Sequence, residues 1–202
     1  MKRATLLIYA KPPYIGLAKT RLAKSLGKPV TARRIAMMSL ALTLRSAQQG
    51  SWRTRLYTTP QRALSGRFAG HALPGIQRYD QGAGDLTQRL NKGLSEAPIG
   101  PVLFIGADAP DLTAGLIRQS LRALTRHDAV FGPARDGGFW LFGVHKTHHS
   151  LSMFENVRWS SPHAMADVAR NLPDRMRIAY LPELIDIDEA EDWQAWSKAR
   201  AD

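Results

Sequence analysis

The chain has 202 residues, of which 44% are hydrophobic and 22% are charged, a globular composition that excludes a disordered or low-complexity protein. It has no cysteine, so disulfides, thiolate metal sites and cysteine nucleophiles are excluded. The net charge of +11 is uneven: residues 1–79 hold fifteen Lys or Arg and no Asp or Glu, whereas residues 80–202 hold thirteen basic and seventeen acidic residues. This asymmetry predicts an anionic partner for the first part of the chain, with a plain solubilising surface as the alternative.

The apolar runs are too short to cross a membrane. None approaches the roughly 20 residues that a membrane-spanning helix needs. The first run, ATLLIYA, is at the lower limit for a signal peptide and lacks a small-residue cleavage pattern. We therefore expect a soluble cytoplasmic protein with one domain, residues 1–202.

Short apolar runs alternate along the chain with segments of helical periodicity. In chain order they predict a strand at 4–10, helices at 18–26 and 31–49, a strand at 54–58, a helix at 61–69, a strand at 76–79, a helix at 85–96, a strand at 102–107, a helix at 113–126, strands at 128–132 and 139–144, a helix at 162–171, a strand at 176–181 and a helix at 189–199. This order is typical of an α/β fold whose mostly parallel sheet is covered by helices on both faces. In such sheets ligands bind beyond the carboxyl ends of the strands.

The loop after the first predicted strand concentrates positive charge. Residues 10–27 read AKPPYIGLAKTRLAKSLG and contain no acidic residue. Lys19 and Arg21 fall in the first turn of a helix, where unpaired N–H groups already carry positive partial charge, so these cations are unfavourable there unless an anion binds. A phosphate group would satisfy the N–H groups and the side chains together. The loop therefore predicts a polyphosphate site, with a solvated face of an amphipathic helix as the alternative.

Familiar phosphate and metal motifs are incomplete in this sequence. A P-loop has two glycines, and the first of them is missing before Gly16. The segment QGAGDLT at 81–87 lacks the third glycine of a dinucleotide-binding loop. His145, His148 and His149 lie close together but without cysteine or an HExxH pattern, so we do not expect a zinc site.

Acidic residues follow the predicted strands of the second half. Asp108 comes directly after an apolar run, and a carboxylate there suits Mg²⁺ or Mn²⁺, which prefer oxygen ligands and often share substrate phosphates. Asp111 is a second candidate ligand, with helix capping as its alternative. Asp186 is a further candidate, because it ends a strand-like stretch in LIDIDEAEDW. Asp188 forms a capping-box pattern with Glu191 and needs no chemical role.

Asp136-Gly137-Gly138 lies between two apolar runs, and an Asp-Gly pair is by itself a signal for a hairpin turn. The functional alternative places this loop at the same pocket. The glycines would then let a ligand approach the backbone, and Asp136 would accept a hydroxyl group or act as a base. Trp159 is predicted either to line this pocket or to pack in the core.

Six motifs follow one another over nearly the whole chain: KPPYIGLAKTRL, QGAGDLTQRL, FIGADAPDLT, GPARDGGFWLFG, VRWSSP and DIDEAEDW. With these motifs the sequence resembles a family of small bacterial proteins in the GT-A glycosyltransferase superfamily, long catalogued as a domain of unknown function. The resemblance implies a nucleotide-diphospho-sugar transferase fold. In that fold a mixed, mainly parallel sheet holds the nucleotide over its N-terminal half and a divalent metal near the central aspartate.

The resemblance also implies roles for single residues. The phosphate-facing loop of the family is matched by Lys11, Gly16, Lys19 and Arg21. Asp108 matches the metal-binding aspartate of related enzymes. Asp186 and Asp188 match a segment that contributes a metal contact in some related nucleotidyltransferases.

Two further matches concern the nucleotide and the second substrate. Asp85 and Arg89 match a segment expected to position the nucleotide or its loop. The loop expected near the acceptor or sugar is matched by Asp136, Gly137 and Gly138.

Three hypotheses follow. The first is a metal-dependent glycosyltransferase that uses a nucleotide sugar and a small acceptor, with Lys19 and Arg21 neutralising the diphosphate and Asp136 deprotonating the acceptor. The second is a nucleotidyltransferase that couples a nucleoside triphosphate to a phosphorylated or alcohol substrate. It is favoured by Asp108-Ala-Pro-Asp111, which replaces the Asp-x-Asp signature of usual glycosyltransferases. The third takes residues 1–79 as a nucleic-acid surface, which the strand-end carboxylates disfavour because they would repel the phosphate backbone.

Overall fold

The computed structural model describes residues 2–65, 68, 75–147 and 152–200. Within these ranges the strands are β1 Thr5–Tyr9, β2 Arg53–Thr58, β3 Gln77–Asp80, β4 Gly100–Gly106, β5 Ala129–Pro133, β6 Phe139–Lys146 and β7 Ile178–Tyr180. The α-helices are α1 Thr20–Leu26, α2 Pro29–Ala47, α3 Leu86–Glu96, α4 Ala114–Ala123, α5 Ala164–Arg170 and α6 Ala190–Lys198. No helix in these ranges combines the length and the apolar character that crossing a membrane requires.

The seven strands form one sheet in the order β3-β2-β1-β4-β6-β5-β7. Strands β3, β2, β1 and β4 run parallel, β6 is antiparallel to both β4 and β5, and β7 is parallel to β5. The predicted α/β class with a mixed, mainly parallel sheet is therefore confirmed. Because β1, β3 and β4 run in the same direction, the loops that follow them open at the same edge of the sheet.

The central strand β1 shows how the helices cover both faces. Leu6 and Ile8 pack in a buried cluster with residues of α2 and α4, such as Leu40 and Ile117. Leu7 points to the other face, in a cluster that includes Leu90 of α3. Alternate residues of a strand lie on opposite faces, so the continuous apolar run of β1 indicates burial on both sides.

The predicted helix at 61–69 is wrong in length, because among its described residues the structure has a 3₁₀ turn at Gln61–Leu64 followed by Ser65 in an extended conformation. The guanidinium group of Arg78, on β3, donates hydrogen bonds to the carbonyl groups of Ala63 (3.0 Å) and Ser65 (3.3 Å). These carbonyls thus have a partner from a distant strand instead of the next helical turn. Residues 66, 67 and 69 lie outside the described ranges.

Candidate functional site

A cavity of about 310 Å³, here called the basic cavity, lies beyond the carboxyl ends of β1 and β4. The loop after β1, the first turns of α1 and α3 and the residues after β4 line it. Four cationic side chains and two carboxylates face this space: Lys11, Lys19, Arg21, Arg89, Asp108 and Asp188. The predicted phosphate-binding loop and the central aspartate therefore share one cavity.

Lys19 is the central residue of the basic cavity. Its side chain is only 5% exposed, and its Nζ lies 2.6 Å from Asp108 Oδ1 and 2.9 Å from Asp188 Oδ1. Lys19 precedes α1 in a left-handed backbone conformation (φ 52°). The guanidinium group of Arg21 pairs with the other oxygen of Asp188. The anion that these two cations were expected to need is thus supplied in part by the protein itself, through Asp108 after β4 and Asp188 before α6.

The electrostatics of this cluster keep its members charged. Burial alone would lower the pKa of Lys19, but attraction to Asp108 and Asp188, with the hydrogen bonds to both, outweighs burial and raises it. Burial alone would raise the pKa of Asp188, but Lys19 and Arg21 outweigh it and hold that pKa below its usual range. The cluster is therefore a network of ion pairs at neutral pH.

The segment 186–188 reaches the site because it runs beside the end of β4. The backbone N–H of Ile187 donates to the carbonyl group of Asp108 (3.1 Å), and the side chain of Ile187 is buried against Leu22 of α1. The capping box of α6 is formed by Glu189 and Asp192. The prediction that Asp188 caps this helix is therefore wrong, since its carboxylate binds the two cations instead.

A second cavity of about 190 Å³, here called the aromatic cavity, adjoins the basic cavity because Tyr9 and Leu86 line both. Phe104, Phe139 and Trp159 contribute to its apolar wall. The indole N–H of Trp159 donates to Thr87 Oγ1 (2.9 Å), which fixes the orientation of the ring. Trp159 thus lines this cavity and also packs against Phe139.

The charged residues that line the aromatic cavity are Asp136 and Asp186. The Asp136 carboxylate accepts a hydrogen bond from the N–H of Gly138 (2.9 Å). The Oδ1 atom of Asp186 is buried and has no hydrogen-bond partner among the described residues. Burial and the nearby negative charge of Asp108 raise the pKa of Asp186 well above its usual value.

Asp108 and Asp186 fit a hard divalent cation. A buried carboxylate oxygen without a donor is costly, and a cation would relieve both this cost and the repulsion between the two carboxylates. Among the described residues, no group of three or more His, Asp or Glu side chains is arranged to hold a metal ion. Further ligands would have to come from water or substrate phosphates, which is common for Mg²⁺.

Asp111 does not join Asp108 in either cavity. Its carboxylate accepts hydrogen bonds from the indole N–H of Trp196 (2.8 Å) and from the guanidinium group of Arg200 (3.3 Å). Both partners belong to the C-terminal region around α6. The prediction of Asp111 as a metal ligand is corrected, because its oxygens hold this helix in place.

Asp85 and Gly16 also lie outside the residues that line the two cavities. Asp85 caps α3 by accepting the N–H of Gln88 (3.1 Å), and the side chain of Gln88 accepts the N–H of Asp85 in return. Asp85 thus orients the helix that carries Arg89 and does not itself face the basic cavity. Gly16 is exposed with φ 80°, so its conformation shapes the loop between Lys11 and Lys19.

Gly137 was expected to let a ligand approach the backbone, but in the structure it packs against Pro162. It has φ 84°, and a Cβ atom built on it would lie 2.3 Å from the carbonyl oxygen of Pro162. Gly137 therefore packs the loop against the segment before α5, while Gly138 and Asp136 line the aromatic cavity.

Gln81 and Tyr9 were not anticipated as site residues. Gln81 is 5% exposed, donates to the carbonyl group of Tyr57 (3.0 Å) and accepts from the guanidinium group of Arg89 (3.3 Å). The hydroxyl group of Tyr9 donates to the backbone carbonyl of Arg89 (3.1 Å). Together they orient Arg89 at the basic cavity. A polar residue after a short strand and a tyrosine in an apolar run carry no distinctive sequence signal.

Of the three neighbouring histidines, the structure describes His145. A ring nitrogen of His145 lies 2.8 Å from the carbonyl oxygen of Leu124, a contact that joins β6 to the end of α4. His148 and His149 lie outside the described ranges.

The mixed sheet is a GT-A, nucleotide-diphospho-sugar transferase-like fold, with two adjoining cavities beyond the carboxyl ends of its parallel strands. The chain belongs to the family described as "Uncharacterized protein conserved in bacteria (DUF2064)", whose model matches residues 42–161. No curated protein sequence matches the chain.

Several solved structures share the fold. A protein from Desulfovibrio desulfuricans G20, provisionally described as a nucleotide-diphospho-sugar transferase, aligns with a TM-score of 0.82 and 23% identity over 99% of this chain and 88% of its own. The 4-diphosphocytidyl-2C-methyl-D-erythritol synthase of Anaerococcus prevotii DSM 20548 aligns with a TM-score of 0.63 and 10% identity over 100% and 99%. Rv0371c of Mycobacterium tuberculosis H37Rv, in complex with manganese, aligns with a TM-score of 0.60 and 15% identity over 98% and 100%.

Proposed function

We propose that this protein is a transferase that binds the phosphates of a nucleotide donor in the basic cavity, with a divalent cation, and a small second substrate in the aromatic cavity. One observation carries the proposal: the cations Lys19 and Arg21 and the carboxylate of Asp108 line a single cavity. This is the arrangement that a diphosphate or triphosphate bound together with a metal ion requires.

Each part of the cavity has a role in this proposal. Lys11, Lys19, Arg21 and Arg89 would contact phosphate oxygens, and Gln81 would hold Arg89 in position through its hydrogen bond. Asp108 and Asp186 would hold the cation, Mg²⁺ or Mn²⁺. The cation would neutralise the negative charge of the leaving phosphate. The ammonium and guanidinium groups would stabilise the same charge as it develops.

Glycosyl transfer is the form of the reaction that the aromatic cavity favours. Aromatic rings beside a carboxylate suit a sugar or an apolar acceptor, and Asp136 lines this wall with one oxygen already oriented by the N–H of Gly138. Asp136 would take the proton from the acceptor hydroxyl as the bond to the sugar carbon forms, and the nucleoside diphosphate would leave. The D. desulfuricans protein, described provisionally as a nucleotide-diphospho-sugar transferase, supports this form.

Nucleotidyl transfer is the second candidate. Asp108-Ala-Pro-Asp111 is not an Asp-x-Asp signature, and Asp111 binds Trp196, so the cation would use Asp108 with Asp186, which is distant in sequence but near in space. The similarity in fold to the A. prevotii synthase also favours this candidate. In this reaction a substrate oxygen would attack the α-phosphorus and pyrophosphate would leave, so a phosphate nucleophile would need no base.

A thermal-shift screen of nucleoside triphosphates, diphosphates and nucleotide sugars, each with and without Mn²⁺, tests the proposal. We expect at least one nucleotide to stabilise the protein only when Mn²⁺ is present, and expect Arg21→Ala to weaken that effect. Product analysis with the stabilising nucleotide then separates the candidates. Free nucleoside diphosphate from a nucleotide sugar supports glycosyl transfer, whereas pyrophosphate from a triphosphate supports nucleotidyl transfer. Absence of any metal-dependent stabilisation would contradict both.

A further inference from the structure

Lys19 occupies an unusual position for a phosphate-binding lysine, since its ammonium group is shared between two carboxylates. It contacts Asp108 Oδ1 at 2.6 Å and Asp188 Oδ1 at 2.9 Å, with 5% of its side chain exposed. The other cation at Asp188, Arg21, is 56% exposed. Lys19 is therefore the buried member of the cluster.

The same lysine and a divalent cation make conflicting demands on Asp108. The side chain of Asp108 is 47% exposed, so it is open to the cavity, but one of its oxygens is already hydrogen-bonded to Lys19. A cation held by Asp108 and Asp186 would bring two positive charges close to this ammonium group, in a setting where burial strengthens electrostatic repulsion. The two cations therefore oppose each other at this carboxylate.

A phosphate group in the basic cavity would remove the conflict. Its oxygens would offer Lys19 a new charge-assisted partner within the same cavity, which Lys19, Arg21 and Arg89 all line. Lys19 would then leave Asp108, and the phosphate would add a ligand for the divalent cation. Asp188 would keep a partner in this arrangement, because Arg21 also binds it.

We propose that Lys19 competes with a divalent cation for the carboxylate of Asp108. The divalent cation then binds weakly to the nucleotide-free protein, and it binds tightly once a phosphate group replaces Asp108 as the partner of Lys19. The metal ion and the phosphate ligand then bind cooperatively, and by linkage each raises the affinity for the other by the same factor. This inference rests on the proposed function in that the phosphates enter the basic cavity. Its first test, however, needs no nucleotide.

The test is the affinity for Mn²⁺ without nucleotide, measured from the electron paramagnetic resonance signal of free Mn²⁺, in the wild type and in Lys19→Met. Methionine keeps the length of the side chain and removes its charge. We expect Lys19→Met to bind Mn²⁺ at least tenfold more tightly than the wild type. Equal or weaker binding by this variant would overturn the proposal.

Lys11→Met is the matched control, because Lys11 lines the same cavity but is exposed and makes no ion pair among the described residues. We expect its affinity for Mn²⁺ to change by less than about threefold. A change as large as that of Lys19→Met would show a general loss of positive charge and would overturn a specific role for Lys19.

A second measurement uses the wild type, so the proposal stays testable if Lys19→Met does not fold. The ammonium resonance of Lys19 is followed by ¹⁵N NMR and assigned by its loss in Lys19→Arg. We expect little change with Mg²⁺ alone and a clear shift with Mg²⁺ and pyrophosphate together. A shift with Mg²⁺ alone, equal to that with both, would overturn the proposal. Failure of pyrophosphate to bind at all would instead count against the proposed function.

Discussion

The loop that presents Asp136 to the aromatic cavity depends on Gly137, and Gly137→Ala tests this packing directly. Gly137 has a left-handed backbone conformation (φ 84°), which costs a residue with a side chain about 1–2 kcal/mol. The new Cβ would also lie 2.3 Å from the carbonyl oxygen, 2.6 Å from the Cα and 2.7 Å from the carbonyl carbon of Pro162. These are backbone atoms that no side-chain rotation can move, so we add about 1–3 kcal/mol for overpacking.

Gly27→Ala separates the two contributions. Gly27 ends α1 with φ 63°, and a Cβ built on it meets no atom within 4 Å, so only the conformational cost of about 1–2 kcal/mol applies. We therefore expect Gly137→Ala to lower the free energy of unfolding by about 1–3 kcal/mol more than Gly27→Ala does. For a chain of this length that difference corresponds to at least about 2 °C in Tm.

Thermal unfolding followed by circular dichroism, with urea unfolding as a check on the free energies, measures both variants. We expect Gly137→Ala to melt below Gly27→Ala, and we expect the tryptophan fluorescence, to which Trp159 beside the same loop contributes, to change only in Gly137→Ala. Equal destabilisation of the two variants would refute the role of Pro162 in holding the loop.

Four further predictions concern charge. Asp108→Asn should abolish Mn²⁺-dependent nucleotide binding while the fold is kept, which calorimetry with Mn²⁺ checks; wild-type affinity would refute its role. Lys19→Ala should weaken nucleotide binding by about 1.5–3 kcal/mol. Arg21→Ala should weaken it by about 1 kcal/mol, because the side chain of Arg21 is more exposed. Unchanged dissociation constants in calorimetric titrations would count against both contacts. Because folding raises the pKa of Asp186, the wild type should lose stability relative to Asp186→Asn as the pH rises above the usual range of an aspartate, and parallel pH profiles of Tm would contradict this. Binding to mixed DNA and RNA should lack a steep salt dependence; a steep dependence at moderate salt would instead favour a nucleic-acid surface.

The sequence predicted the strands and α-helices well because most of them carry their own periodic signal. The apolar run of β1 and the helical period of α2 are local features, and both elements form as expected. The predicted helix at 61–69 differs because the carbonyl groups of Ala63 and Ser65 accept hydrogen bonds from Arg78 on β3, a contact that no local pattern reveals. Tertiary hydrogen bonds thus decided the structure where the local signal was weak.

The candidate site was predicted in part for a related reason. Lys19 and Asp108 each follow a parallel strand, and parallel strands end at the same edge of a sheet. Their positions in the sequence therefore predicted that the two residues lie close together, and they line one cavity. Position alone does not separate ligand-facing carboxylates from structural ones. Asp111 holds Trp196, and Asp188 binds Lys19 instead of capping a helix. These assignments depend on pairings over more than 80 residues of sequence.

A crystal structure of the protein grown with Mn²⁺ and pyrophosphate, with anomalous diffraction used to locate the metal, tests whether Asp108 and Lys19 share one ligand site. We expect one manganese peak between Asp108 and Asp186, and pyrophosphate oxygens bonded to Lys19 and Arg21. A manganese ion bound elsewhere, or pyrophosphate bound away from these two cations, would contradict this expectation.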